Sequence, residues 1–117
     1  MPVTGIGGFF FRADGPAELR AWYAQHLGVE ARDGVWNQAA GPTVFEPFPR
    51  DSDYFPRERG WMLNLRVTEL DALLVRLRTA GIAIETRPEW EDPNIGRFAR
   101  IHDPEGNPIE LWEPPAE

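Results

Sequence analysis

The chain contains no cysteine, no lysine and a single serine, Ser52. Disulfides, thiolate nucleophiles and thiolate metal sites are therefore excluded. All twelve cationic side chains are arginine, so there is no Schiff-base or lysine general-base chemistry. Ser52 lies in a Pro/Asp/Arg-rich stretch with none of the glycines of a nucleophile elbow, which argues against a serine hydrolase. A basic excess is also missing. The formal charge of −7 and the pI near 4.8 are the reverse of what releases phosphate counterions, so no nucleic-acid partner is expected. No apolar run approaches the roughly 20 residues of a membrane span. Met1 to Ile6 lacks the basic region and apolar core of a secretory signal, so the expected location is the cytoplasm, with no membrane partner.

What remains is 117 residues with enough apolar side chains for one domain. Two segments repeat one pattern. Phe11-Arg12-Ala13 leads into a helical stretch that stops at Leu27-Gly28-Val29, and Leu65-Arg66-Val67 leads into another that stops at Ala80-Gly81-Ile82. The offset is 54 residues from Phe11 to Leu65 and 53 from Gly28 to Gly81. Pro16 suits the first position of the first helix, whose apolar stripe is Leu19, Trp22, Tyr23 and Leu27. Thr68 reads as the N-cap of the second, with Asp71 three residues on and Leu70, Leu73, Leu74 and Leu77 at helical spacing. Glycines 28 and 81 end them. Strand-like pieces follow at 35–39 and 43–48 in the first half, and at 82–86, 97–102 and 108–113 in the second. The expected class is α+β: two βαβββ modules, about 1–49 and 60–117, joined by a connector at 50–59, with helices on one face of a largely antiparallel curved sheet.

The most distinctive stretch is Asp103-Pro104-Glu105-Gly106-Asn107-Pro108-Ile109-Glu110-Leu111-Trp112, a tight turn and a strand. Alternation puts Ile109 and Leu111 on one face and Glu110 and Trp112 on the other, where they form either a solvated edge or a pocket wall. Together with Trp22-Tyr23-Ala24-Gln25-His26-Leu27-Gly28, this hairpin resembles the vicinal oxygen chelate superfamily, which includes glyoxalase I, bleomycin-resistance proteins and extradiol dioxygenases. The resemblance covers nearly the whole chain. It implies a curved sheet with helices outside, a concave inner face and a homodimer whose sheets complete one another.

Metal-dependent members carry four ligands on that inner face, and the resemblance maps them to Gly8, Thr43, Met62 and Glu110. Glycine offers no side chain, and a thioether suits hard divalent ions poorly. Only Glu110 is a ligand type, and one carboxylate does not hold a divalent metal against water. His102 is a possible second ligand across the hairpin, whereas His26 belongs at the C-terminal end of the first helix, outside the cup. No metal and no cofactor are expected.

Alternation sends Phe10, Arg12, Thr43, Phe45, Met62, Asn64, Arg66, Glu110 and Trp112 to the inner face. Of these, Phe10, Thr43, Phe45, Met62, Asn64, Arg66, Glu110 and Trp112 are the candidate ligand-binding residues. Apolar walls with a few placed polar groups suit a small organic molecule, although the same residues could fill a second core or face a partner chain. Tyr54, Phe55, Trp61 and Trp90 are candidates for a lid or for a subunit interface. The leading reading is a metal-free binding protein that stacks a planar molecule on Trp112 and Phe10. A metal-dependent lyase, isomerase or dioxygenase using Glu110 and His102 is the alternative, and a metal-free enzyme with Glu110 as general base is a third.

Overall fold

A computed structural model describes residues 2–116. Two helices, α1 (Pro16–Leu27) and α2 (Leu70–Thr79), accompany four strands: β1 (Leu63–Arg66), β2 (Glu91–Asp92), β3 (Gly96–His102) and β4 (Pro108–Glu113). The sheet order is β1-β4-β3-β2, with β1 parallel to β4 and the other pairs antiparallel. The expected α+β class holds. The sheet is mixed, with two of its three strand pairs antiparallel as expected, and β1 joins β4 in parallel because the intervening helix and hairpin return the chain to its side.

Period-two alternation divides the sheet into two faces. Leu63, Leu65, Ala99, Ile101, Ile109 and Leu111 meet Leu70, Leu73, Leu74 and Leu77 of α2 and Leu19 and Tyr23 of α1 in one core. The helical stripes read from the sequence are those that pack. Ile101, Ile109 and Leu111 have no exposed surface.

Both helices take acceptors for their N-terminal amides from the far end of the chain. The expected N-cap Thr68 does not cap α2. Glu69 occupies that position in a left-handed conformation, without a side-chain cap. The Leu70 N–H instead donates to the Glu113 carboxylate on β4, 3.2 Å away. Before α1, the Asp14 and Gly15 amides donate to Glu105 at 2.7 and 2.9 Å. Each carboxylate therefore sits at the positive end of a helix dipole. α1 ends as expected at Gly28, φ 69°, with Gly28 and Val29 amides bonded back to Ala24 and Tyr23 carbonyls.

The turn between β3 and β4 is a polar knot. Asp103 is buried, and its Oδ1 accepts the Glu105 and Asn107 amides while Oδ2 accepts the Tyr23 hydroxyl at 2.7 Å and the Asn107 side-chain amide at 2.8 Å. Burial and the neighbouring carboxylate push the Tyr23 phenol far above its ordinary pKa. Arg59 of the connector donates to Asn107 Oδ1 and to the Glu105 carbonyl, both at 3.0 Å. Gly106 takes φ 82°, which a side chain would resist.

The first half differs from expectation. The segments at 35–39 and 43–48 form no strand, and the stretch before α1 joins no sheet. The segment at 82–86 contributes a single bridge, Glu85 to Arg100. Strand propensity needs a neighbour to pair with, and prolines 42, 47 and 49 offer no N–H while glycines 5, 7, 8 and 41 raise the entropic cost of extension. Phe10 is 93% exposed and Phe45 84%. The chain consequently presents 9065 Å² to solvent. A compact monomer of this mass presents roughly 6,450 Å².

Candidate functional site

The sheet face turned away from the helices carries Asn64 and Arg66 from β1, Phe98 and Arg100 from β3, and Glu110 and Trp112 from β4, as the partner registers require. Glu110 is the centre. It is 7% exposed, and its carboxylate is bound by neutral donors: Asn64 Nδ2 at 2.7 Å on Oε1 and the Tyr54 hydroxyl at 2.5 Å on Oε2. Asn64 lies directly opposite Glu110 in the parallel pair, so its amide needs only to bridge the strand spacing. Among the described residues Glu110 makes no ion pair.

Tyr54 arrives from the connector and covers this face. Its ring lies 5.7 Å from Phe48 and 6.2 Å from Trp90, centroid to centroid. Burial, then the hydrogen bond and charge of Glu110, push its phenol up to about 12, with Arg100 working in the opposite sense. The hydroxyl is thus a durable donor. Arg100 is 5% exposed and stacks its guanidinium over the Tyr54 ring at 5.1 Å and over Trp90 at 5.6 Å. Its Nη2 donates to the Tyr54 carbonyl at 3.0 Å, while Nε is buried with no partner.

Trp112 stacks on Phe98 with ring planes 5° apart and centroids 6.1 Å apart, and its indole N–H donates to the Ile95 carbonyl. Arg66 spends its donors on the Pro42 and Ala39 carbonyls, tying the first half of the chain to β1. Met62 is half-buried just before β1. Phe10, Thr43 and Phe45 are exposed and are not brought to Glu110. His102 is exposed at the end of β3, opposite Pro108. His26 lies in the last turn of α1 with its ring against Trp22, outside the sheet. No group of three or more His, Asp or Glu side chains able to hold a metal ion occurs among the described residues.

Of the aromatic loop residues, Trp61 packs on Phe9 and Phe11 and Phe55 on Phe48, whereas Tyr54 and Trp90 close over Arg100. Phe98 and Arg100 were missed by the reading of the sequence. Their signal was available, because Ala99 and Ile101 face the core and alternation then turns both neighbours inward. Two shallow clefts lie elsewhere. One of about 410 Å³ runs along α1 beside Trp22 and Glu105, and one of about 870 Å³ lies by Arg97, Glu113 and Pro114. Neither is lined by Glu110, whose Oε2 is engaged by the Tyr54 hydroxyl.

A mixed sheet with both helices on one face and a polar-aromatic cluster on the other defines an α+β domain with one face free of helices. The family model for the glyoxalase-like domain matches residues 8–112, and the chain belongs to that family, within the vicinal oxygen chelate superfamily. Among solved structures it is similar to TnmS3, an antibiotic binding protein from Streptomyces sp. CB03234, at 24% identity and a TM-score of 0.63 over 97% of this chain and 98% of that one. It also matches a glyoxalase/bleomycin resistance protein from Streptomyces sp. CB03234 at 35% identity and a TM-score of 0.37, over 44% of this chain and 42% of that one. No curated protein matches it. No helix among the described residues is long and apolar enough to cross a membrane.

Proposed function

We propose that the protein binds a small planar organic molecule on the inner face of its sheet, without a metal, as a homodimer. The observation that carries the reading is Glu110, a buried carboxylate whose two oxygens are held by an amide and a phenol and not by cations or metal-ligand neighbours. Such an acceptor, flanked by the Trp112–Phe98 stack and the Arg100 guanidinium, orients an aromatic ligand. Binding of an antibiotic by TnmS3, which shares the fold, supports the choice of a small organic ligand over a macromolecule. Asn64, Glu110 and Trp112 are the proposed contacts, joined by Phe98 and Arg100.

Surface area supports the dimer. The excess over a compact monomer, on the order of 2,500 Å² per chain, has the size of an obligate interface. Phe10, Val44 and Phe45 are exposed and lie outside any strand, and pairing these segments with a second copy would complete the first βαβββ module and bring these side chains toward an inner face.

The test combines three measurements on protein purified without chelators. Elemental analysis is expected to find well under one equivalent of any divalent ion, and added Ni, Zn, Mn or Co should leave the melting temperature unchanged, since a specific site would stabilise by mass action. Sedimentation at micromolar concentration should give twice the 13.3 kDa chain mass. Stoichiometric metal removable by Glu110→Gln refutes the metal-free site, and a single-chain mass refutes the dimer.

A further inference from the structure

We propose that Tyr54 occupies the binding site as an internal stand-in for the ligand, and that the ligand is a planar aromatic whose hydroxyl displaces the Tyr54 phenol from Glu110. This rests on the reading that the inner face binds a small molecule, and it adds the ligand's defining group and the residue it must displace.

Tyr54 does not belong to the sheet. It is carried by the connector, whose hydrogen bonds include the Tyr54 amide to Ser52 Oγ at 3.2 Å, Arg57 to the Asp51 carbonyl at 3.1 Å, Arg59 to Asn107 and the Glu105 carbonyl at 3.0 Å, and Arg100 Nη2 to the Tyr54 carbonyl at 3.0 Å. Its side chain nevertheless makes the contacts expected of a bound phenol. The hydroxyl meets a charged acceptor at 2.5 Å, one ring face meets a guanidinium at 5.1 Å, and Trp90 meets the ring near the edge at an interplanar angle of 63°. A carboxylate accepts only, and Asn64 already supplies Oε1, so whatever replaces Tyr54 must bring its own donor to Oε2. The guanidinium selects a π face at the same place.

Tyr54 does not use all that the slot offers. Arg100 Nε is buried beside the ring without an acceptor, so a ligand carrying a further oxygen has a hydrogen bond to make that Tyr54 does not. The tether works the other way. A phenol held by a short loop is present at an effective concentration in the millimolar range, and an external ligand binds only in proportion to the open fraction. The connector thereby sets a threshold, excluding weak apolar aromatics that cannot satisfy Glu110.

The test severs the stand-in from its tether. Wild type, Tyr54→Ala and Tyr54→Phe are melted with p-cresol, which is the tyrosine side chain alone, and with p-xylene, which replaces its hydroxyl by a methyl group. Shifts of the Asn64 side-chain amide and of the Trp112 indole N–H are followed by NMR. Millimolar p-cresol is expected to raise the melting temperature of Tyr54→Ala by several degrees and to move the Asn64 signal, with at least tenfold weaker effects in wild type and with p-xylene. Tyr54→Phe keeps the ring and loses only the donor, so it should bind p-cresol more tightly than wild type and less tightly than Tyr54→Ala. It carries the test if the alanine variant does not fold. Equal effects of p-xylene and p-cresol, or Tyr54 variants that bind p-cresol no better than wild type, overturn the inference while leaving inner-face binding intact. If neither compound moves Asn64 or Trp112 in any variant, the inner-face reading falls as well.

Discussion

Replacing Asp103 by asparagine changes one oxygen into an amide in the most heavily bonded polar site of the protein. The aspartate accepts four donors: two backbone amides on Oδ1, and the Tyr23 hydroxyl and the Asn107 side-chain amide on Oδ2. An asparagine that keeps the two backbone bonds points its NH₂ at two groups that also donate. The Tyr23 hydroxyl can turn and accept. Asn107 can accept only by flipping, which takes its Oδ1 away from Arg59 Nη1. One donor is unmatched in either arrangement, and the charge that strengthened the others is gone. Hydrogen bonds to charged groups contribute about 1.5–3 kcal/mol each, and an unmatched buried donor costs about 1–3 kcal/mol. Allowing for partial relaxation, Asp103→Asn should destabilise by about 2–4 kcal/mol, which for this length lowers the melting temperature by about 8–15 °C. Tyr23→Phe leaves Asp103 three of its donors and should cost about half as much. Circular-dichroism melts at pH 7 measure both. A melting temperature for Asp103→Asn within about 2 °C of wild type, or a larger loss for Tyr23→Phe, would falsify the assignment of Asp103 as the organising acceptor.

Leu111→Ala should cost about 2–5 kcal/mol as a fully buried cavity, whereas Trp112→Ala, one residue along and on the other face, should mainly lower the affinity for aromatic ligands; thermal melts beside fluorescence titrations separate the two effects. Gly96→Ala should be strongly destabilising, since at φ 122° its Cβ would overlap the Glu113 carbonyl and crowd the Trp112 indole, and a melt unchanged from wild type refutes this packing. The pH response follows from Tyr54. Its folded pKa, pushed up to about 12, lies above the ordinary tyrosine value of 10.0, so the contribution is fully present below pH 10 and is lost as pH rises toward 12. Tyr23, also raised, contributes in the same direction, so Tyr54→Phe should reduce the slope above pH 10 without abolishing it, and an unaltered slope would show that the phenol does not meet Glu110.

The sequence made the second half of the fold legible because its signals are local. Leu70, Leu73, Leu74 and Leu77 state a helix face within eight residues, and Ile109 and Leu111 state a sheet face within three. Glu110, Asn64 and Trp112 were found on one face for the same reason. The caps were not legible, because Glu105 and Glu113 serve helices from which they are separated by 91 and 43 positions. Tyr54 was recognisable as a loop aromatic, but nothing local to the connector states that its hydroxyl reaches Glu110. The strands expected at 35–39 and 43–48 were read from residue type, and type does not count partners. Without a neighbouring edge, and with prolines at 42 and 47, the backbone finds no ladder.

The Asp103–Asn107 turn has a consequence for the order in which the protein can be made. α1 leaves the ribosome before that turn is made, and the acceptors for the amides at its start and for Tyr23 reside 80 to 91 positions later. At a synthesis rate of roughly 5–20 residues per second, that helix waits roughly 5–20 seconds for its fastenings. A twelve-residue helix is marginal in water by itself, so throughout that interval Trp22 and Tyr23 remain available to any other apolar surface. A nascent chain stalled before Asp103 should therefore engage chaperones through its first helix, and release should follow synthesis of the turn.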